Sequence, residues 1–127
     1  MSVLDASAVL ALLNDEPGAN HVAGAIVAGA VMSAVNLAEV LGKVVDVDGD
    51  VGEVMSTLHA AGVEIIPMDA ADAAVVAAIR RVDGGTSLSL GDRCCLALAA
   101  RSRPSEVVTA DRAWAGLDLP VSVKLIR

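Results

Sequence analysis

A chain of 127 residues, 55% of them hydrophobic and only two of them Cys, can bury a core without staples, which excludes the small disulfide-framework class. Aromatics make up 1%, a single Trp with no Tyr or Phe, so the core must come from Ala, Val, Leu and Ile in helices packed on buried, Val-rich strands. A formal charge of −7 at pH 7 argues against direct, nonspecific attraction to nucleic-acid phosphates, unless the acids gather around a cation.

In chain order, Val3-Leu4 reads as a buried strand starting at residue 2, with Asp5 at its carboxyl end. Ser7 to Leu13 is a short helix stopped near Asn14 and Pro17, and Gly18 to Ala28 a second, ended by Gly29. Ala30-Val31-Met32 is strand two. Ser33 caps the next helix, because its hydroxyl can accept from an open backbone N–H. That helix carries Asn36, Leu37, Glu39, Val40 and Lys43 and fades between Asp46 and Asp50. Val51 to Ala61 is helical with Gly62 as its stop. Val63 to Ile66 is strand three, ended by Pro67, and Asp69 to Arg81 is an Ala-rich helix. Asp83 to Thr86 is a loop, Ser89 caps a helix over Leu90 to Arg101, and Arg103-Pro104-Ser105 is a turn. Glu106 to Thr109 is strand four, followed by Asp111 and a helical turn through Trp114; Val121 to Leu125 is strand five. Strands alternating with helices predict an α/β fold: one three-layer domain over residues 1–127 with a mainly parallel five-stranded sheet.

Mean hydropathy is high, +0.65. Even so, no run of about 18 apolar residues is free of charge or helix punctuation, so no membrane span is expected. The start, Met1 to Asp5, has no basic segment and does not read as a signal peptide. Cys94 and Cys95 lie about 100° apart on a helix, a poor geometry for a structural disulfide. They read as reduced, small apolar residues, and a cytoplasmic setting is expected.

Ligands of open α/β sheets bind beyond the carboxyl ends of the strands. Asp5 follows strand one and Asp111 strand four. Glu39 lies about two turns into the helix after strand two, and Asp92 begins a helix that can face the same edge. Each acid also has a plain structural reading: a turn residue for Asp5 or Asp111, a charge favourable to a helix N-terminus for Asp92, and an ion pair with Lys43 for Glu39, worth about a few tenths of a kcal/mol. Glu39 sits among Leu37, Ala38, Val40 and Leu41, so it is expected to be partly buried and in need of a partner. Four carboxylates packed together raise one another's proton affinity. A hard divalent cation relieves that repulsion, and Mg²⁺ both keeps waters and bridges to phosphate.

The stretches Val3 to Ala8, Ser33 to Val40, Ser89 to Ala99 and Val108 to Trp114, in that order and spacing, resemble PIN domains, most closely the VapC-type toxins. The resemblance covers essentially the whole chain and implies a Mg²⁺-dependent (Mn²⁺ as substitute) endoribonuclease, the toxin of a toxin–antitoxin pair. It implies a metal site of Asp5, Glu39, Asp92 and Asp111. Ser7, Asn36 and Thr109 would orient carboxylates or water, although capping and turn formation suit Ser7 and Thr109 equally. Arg93 and Arg112, beside site acids, are candidates for phosphate contact, against a plain role as solvated surface charge. A bound Mg²⁺ lowers the pKa of its water, and a second ion would stabilise the leaving oxygen. Cleavage of RNA would leave a 5′-phosphate and a 3′-hydroxyl, with no need of His21 or His59. Implied partners are an RNA substrate, a VapB-like antitoxin that wraps the toxin, and a second copy in a homodimer.

Other readings stay open: an inactive PIN-like interaction module, or a metal-dependent nuclease or phosphoryl-transfer domain with another substrate. A response-regulator receiver fits poorly, because strand one ends in a single acid and Asp69 after strand three follows Pro67 closely. A haloacid-dehalogenase-type phosphatase needs a second acid two residues after the first, where Ser7 stands.

Overall fold

The computed structural model describes residues 1–102 and 106–127. Strand β1 (Ser2–Leu4) leads into helices α1 (Ala6–Leu13) and α2 (Ala19–Ala28), then β2 (Ala30–Ser33), α3 (Ala34–Asp46) and α4 (Val51–Ala60). Strand β3 (Glu64–Ile66), α5 (Ala70–Ala78), α6 (Leu90–Arg101), β4 (Glu106–Thr109) and β5 (Ser122–Leu125) complete the order. The expected turn at Arg103 to Ser105 lies outside the described residues.

The strands form one sheet in the order β3-β2-β1-β4-β5, with all four pairings parallel. Successive residues of a strand point to opposite faces, and that alternation divides the apolar residues into two cores. Leu4, Met32 and Val108 face one side, where they meet Val9, Val22, Leu37, Val40 and Leu58 of α1 to α4. Val3, Val31 and Val107 face the other, against Val76 of α5, Cys95, Leu96 and Ala99 of α6, and Trp114. The three-layer α/β expectation therefore holds, and the sheet is parallel throughout.

The strand order also decides between rival topologies. A receiver has the order 2-1-3-4-5, with β3 beside β1. Here β3 is an edge strand and β4 lies beside β1. The chain winds outward from β1 through β2 to β3, then crosses back to β4 on the other side of β1. The switch point of the sheet is thus the crevice between the carboxyl ends of β1 and β4. Asp5 and Asp111 stand on its two sides.

Element boundaries follow the capping chemistry. Ser33 Oγ accepts from Val35 N at 3.1 Å at the start of α3, and Ser89 opens α6 with a reciprocal capping box. The helix expected over Asp69 to Arg81 is shorter: α5 ends at Ala78 and continues as a 3-10 turn, Ile79–Arg81. The reason is the return of the chain over it. Gly84 takes a left-handed conformation (φ 80°) and Gly85 N donates to Val82 O at 2.9 Å, so the backbone doubles back and a second 3-10 turn, Gly85–Ser87, forms inside the expected loop. Cys94 and Cys95 are free and buried, as expected. Among the described residues no helix is long and apolar enough to cross a membrane.

The third 3-10 turn, Arg112–Gly116, carries the only Trp of the chain, fully buried at 0% exposure. Trp114 pins the segment that follows Asp111 to the core under β4. Trp114→Ala should cost about 3–5 kcal/mol, the range for deleting a buried aromatic, read from urea unfolding followed by circular dichroism. A loss under about 1 kcal/mol would show that this turn is not anchored by its indole.

Candidate active site

Asp5 is the N-cap of α1 and only 4% exposed. Its Oδ1 accepts from Ala8 N at 2.8 Å and from Ser7 Oγ at 2.7 Å, and its Oδ2 from Thr109 Oγ1 at 2.6 Å. The two hydroxyls are themselves held by the segment after β4: Ala110 N donates to Ser7 Oγ and Asp111 N to Thr109 Oγ1, each at 3.0 Å. Ser7 and Thr109 thus both orient the carboxylate and tie the start of α1 to the end of β4. Burial pushes the Asp5 carboxyl above its ordinary range. The hydrogen bonds from Thr109, Ser7 and Ala8 pull it back down, and the charge of Asp92 adds to the rise.

Glu39 corrects a sequence expectation. It is exposed, not partly buried, because Asn36, Leu37 and Val40 take the inward face of α3 and leave Ala38 and Glu39 outside. Its apolar neighbours in sequence are not its neighbours in space. Nor does it pair with Lys43: among the described residues the ion pairs are Arg101 with Asp72 and Arg127 with Glu16. Its partner is Asn36, 1% exposed, whose Nδ2 donates to Glu39 Oε1 at 2.9 Å and to Gly91 O at 3.0 Å. Asn36 Oδ1 is buried with no hydrogen-bond partner.

Asp92 is half-buried in the first turn of α6. Its Oδ2 accepts from Ser89 N at 2.9 Å while its own N donates to Ser89 Oγ at 3.1 Å. Asp111 is exposed and caps the following 3-10 turn, accepting from Ala113 N at 3.0 Å. The capping readings of Asp5, Asp92 and Asp111 are therefore real. Cys95, at 0% exposure, has its thiol pushed well above the usual range by burial and then by the charges of Asp5, Asp92 and Glu39. Those three charges come from the segment after β1, from α3 and from α6. Asp111 joins them through Thr109, which holds its backbone and Asp5 together.

Among the described residues no group of three or more His, Cys, Asp or Glu side chains is arranged to hold one metal ion; each carboxylate is turned to a protein donor. The donor set nonetheless fits a hard divalent cation. Its free ligands are all carboxylate oxygen, and Cys95 is held as the thiol, so no soft ligand competes. The Asp92 charge that raises Asp5's proton affinity is the repulsion a cation would remove.

The two arginines part company. Arg93 is half-buried, its Nη1 donates to Val76 O of α5 at 3.0 Å, and its Nε is buried without a partner. It braces α6 against α5 through that bond. Arg112 is exposed beside Asp111. His21 and His59 are exposed. A groove of about 470 Å³ lined by Leu37, Met55, Leu58, Val63 and Ile65 contains none of the four acids. The residue that the sequence pattern missed is Gly91. The available signal was a glycine inside a helix, where it costs propensity.

Residues 2–118 match the family model of the PIN domain. No curated protein matches the chain. A toxin–antitoxin complex from Klebsiella pneumoniae superposes with a TM-score of 0.73 at 21% identity, over 100% of this chain and 98% of that one. VapBC from Salmonella typhimurium, bound to DNA, gives 0.70 at 16% identity over 99% and 98%. VapBC2 from Rickettsia felis, bound to a DNA fragment from their promoter, gives 0.70 at 14% identity over 98% and 97%. At these identities the structures share the fold.

The raised Asp5 carboxyl has a consequence for stability. The folded protein holds that proton above the ordinary value of 3.8. Asp5's contribution is therefore fully present below that value and lost as pH rises through the raised folded one. In chelator, the stability difference between Asp5→Asn and the unaltered protein should shift in the variant's favour as pH rises from about 4 to 7, measured by thermal melts. A difference constant across that range would mean that Asp5 ionises as freely in the fold as in water.

Proposed function

The chain belongs to the PIN domain family, and on that premise we propose that it is a Mg²⁺-dependent endoribonuclease, with Mn²⁺ as a substitute, and the toxin of a VapC-like toxin–antitoxin pair. The observation that carries the reading is the hydrogen-bonded clamp at the switch point: Ser7 and Thr109 hold both oxygens of Asp5, Thr109 also accepts from Asp111 N, and Asn36 ties Glu39 to the first turn of α6 beside Asp92. These four carboxylates would hold the ion. When bound, Mg²⁺ supplies the positive charge that draws in phosphate and makes water a better nucleophile. This reconciles a charge of −7 with a polyanionic substrate.

The chain's own groups prepare that site. Ser7 and Thr109 fix both oxygens of Asp5, so its carboxylate cannot rotate away. Asn36 fixes one oxygen of Glu39 and leaves the other free. Arg112, exposed and next to Asp111 in sequence, would contact a substrate phosphate. Glu39 and Asp111 are both exposed, which suits a long polymer better than an enclosed small molecule. The toxin–antitoxin complexes among the structural neighbours support a small VapB-like antitoxin as partner. With it go a homodimer and a cytoplasmic setting, for a single domain over residues 1–127.

Purified protein incubated with structured RNA should cleave it in Mg²⁺ or Mn²⁺ and not in chelator. Asp92→Asn should cut the rate by roughly a hundredfold or more, the scale of losing one electrostatic stabiliser. It should still fold, because Asn keeps an acceptor for Ser89 N. Cleavage that survives chelator, or an unimpaired variant, contradicts the carboxylate–metal reading. A folded protein that binds Mn²⁺ and cleaves none of several RNA classes contradicts the RNA reading, in favour of another phosphodiester or an inactive binding module.

A further inference from the structure

Glycine inside a helix weakens it relative to alanine, and it is usually tolerated where the backbone needs a positive φ or another group needs the space of the side chain. Gly91 lies in the first turn of α6, is buried, and is not among the positive-φ glycines. Conformational freedom is therefore not its reason. The space is: a Cβ built on Gly91 would overlap Glu39 Oε1 and stand 2.9 Å from Oε2. The place of the missing side chain is filled by the carboxylate of Glu39, reaching across from α3.

The same glycine contributes its carbonyl. Asn36 Nδ2 donates both to Gly91 O and to Glu39 Oε1. One buried amide thus bridges the backbone of α6 and the carboxylate of α3. Glu39 is otherwise an exposed, flexible side chain. The bridge and the cradle together bring it against the first turn of α6, next to Asp92.

We propose that Gly91 is a positioning residue for metal binding: its absent side chain forms the cradle that seats the Glu39 carboxylate, with Asn36 as the latch. This rests on the reading of Glu39 as a metal ligand. The clash introduced by a methyl group falls on the far end of a movable side chain. The fold itself therefore loses little, and the seat of the carboxylate is what is lost.

The test is Mn²⁺ affinity by titration calorimetry, with melting in chelator as the control for folding, in a double-mutant cycle of Gly91→Ala and Glu39→Ala. Gly91→Ala should weaken Mn²⁺ binding about tenfold or more, the scale of losing a ligand-orienting contact, while its melting temperature in chelator holds or rises with the better helix former. In the Glu39→Ala background the same change should have no further effect on affinity. If Gly91→Ala alone does not fold, recovery of folding in the double variant supports the cradle, since removing Glu39 removes the clash; a double variant that also fails to fold overturns it. Weakening by Glu39→Ala with unchanged binding in Gly91→Ala, or equal losses in both backgrounds, overturns the positioning role and leaves Glu39 a ligand. Unchanged binding in Glu39→Ala refutes Glu39 as a ligand and the cradle with it.

Discussion

A buried carboxylate at the end of the central strand is the constraint around which the rest of this molecule is arranged. Asp5 could not sit at 4% exposure without compensation, since an unpaired ion in the interior costs several kcal/mol. The fold supplies three donors, from Ala8, Ser7 and Thr109. To bring Thr109 within reach, β4 must lie beside β1, which requires the chain to cross back from β3 at the opposite edge. The sheet order, the switch point and the clamp are one arrangement seen at three scales. The donors do not fully offset burial, because the carboxyl still stands above its ordinary range with Asp92 contributing to the rise. Such a residual electrostatic cost at the switch point of the sheet is what a functional position tends to carry.

Three of the four acids also begin helical segments. Asp5 caps α1, Asp92 completes the capping box of α6, and Asp111 caps a 3-10 turn. Helix N-termini carry partial positive charge, worth about 0.3–1 kcal/mol to a nearby anion. The same backbone amides that make these acids look structural therefore allow several negative charges to share one crevice. Structural and functional readings are not alternatives at these positions. The capped carboxylates are held in place by these bonds, with the second oxygen of Asp111 left outside its cap and Asp92 half-exposed.

The sequence made the elements legible where local chemistry decides them. The α6 helix and β4 fall at the expected residues because Ser89 and the short apolar run set their limits without help from tertiary structure. Asp5, Asp92 and Asp111 were legible as acids at the ends of elements, a position that the chain order alone defines. Glu39's environment was not. The 100° step between helix positions turns Leu37 and Val40 inward and Glu39 to another face. The direction of Arg93 was not legible either, because adjacency to Asp92 in sequence does not fix where a long side chain goes, and here it reaches Val76 on α5. The end of α5 depends on Gly84 and Gly85 folding back over Ile79, a contact across six residues that the 3.6-residue helical pattern does not carry.

The aliphatic composition bears on the site as directly as the acids do. Helix α6 is buried along Cys94 to Ala99, and four of those six residues are Cys or Ala. Small side chains let a helix lie close to the sheet, and a dense interior transmits any change in that spacing. The distance of α6 from β1 sets how near Asp92 stands to Asp5, and its distance from α3 sets whether Glu39 reaches the space over Gly91. Larger core residues would lift α6 and open the crevice; a polar residue in place of Cys95 would need a partner that this apolar layer does not provide. A core almost without aromatic rings thus lets α6 lie close to the sheet and to α3, where Asn36 bridges Gly91 and Glu39.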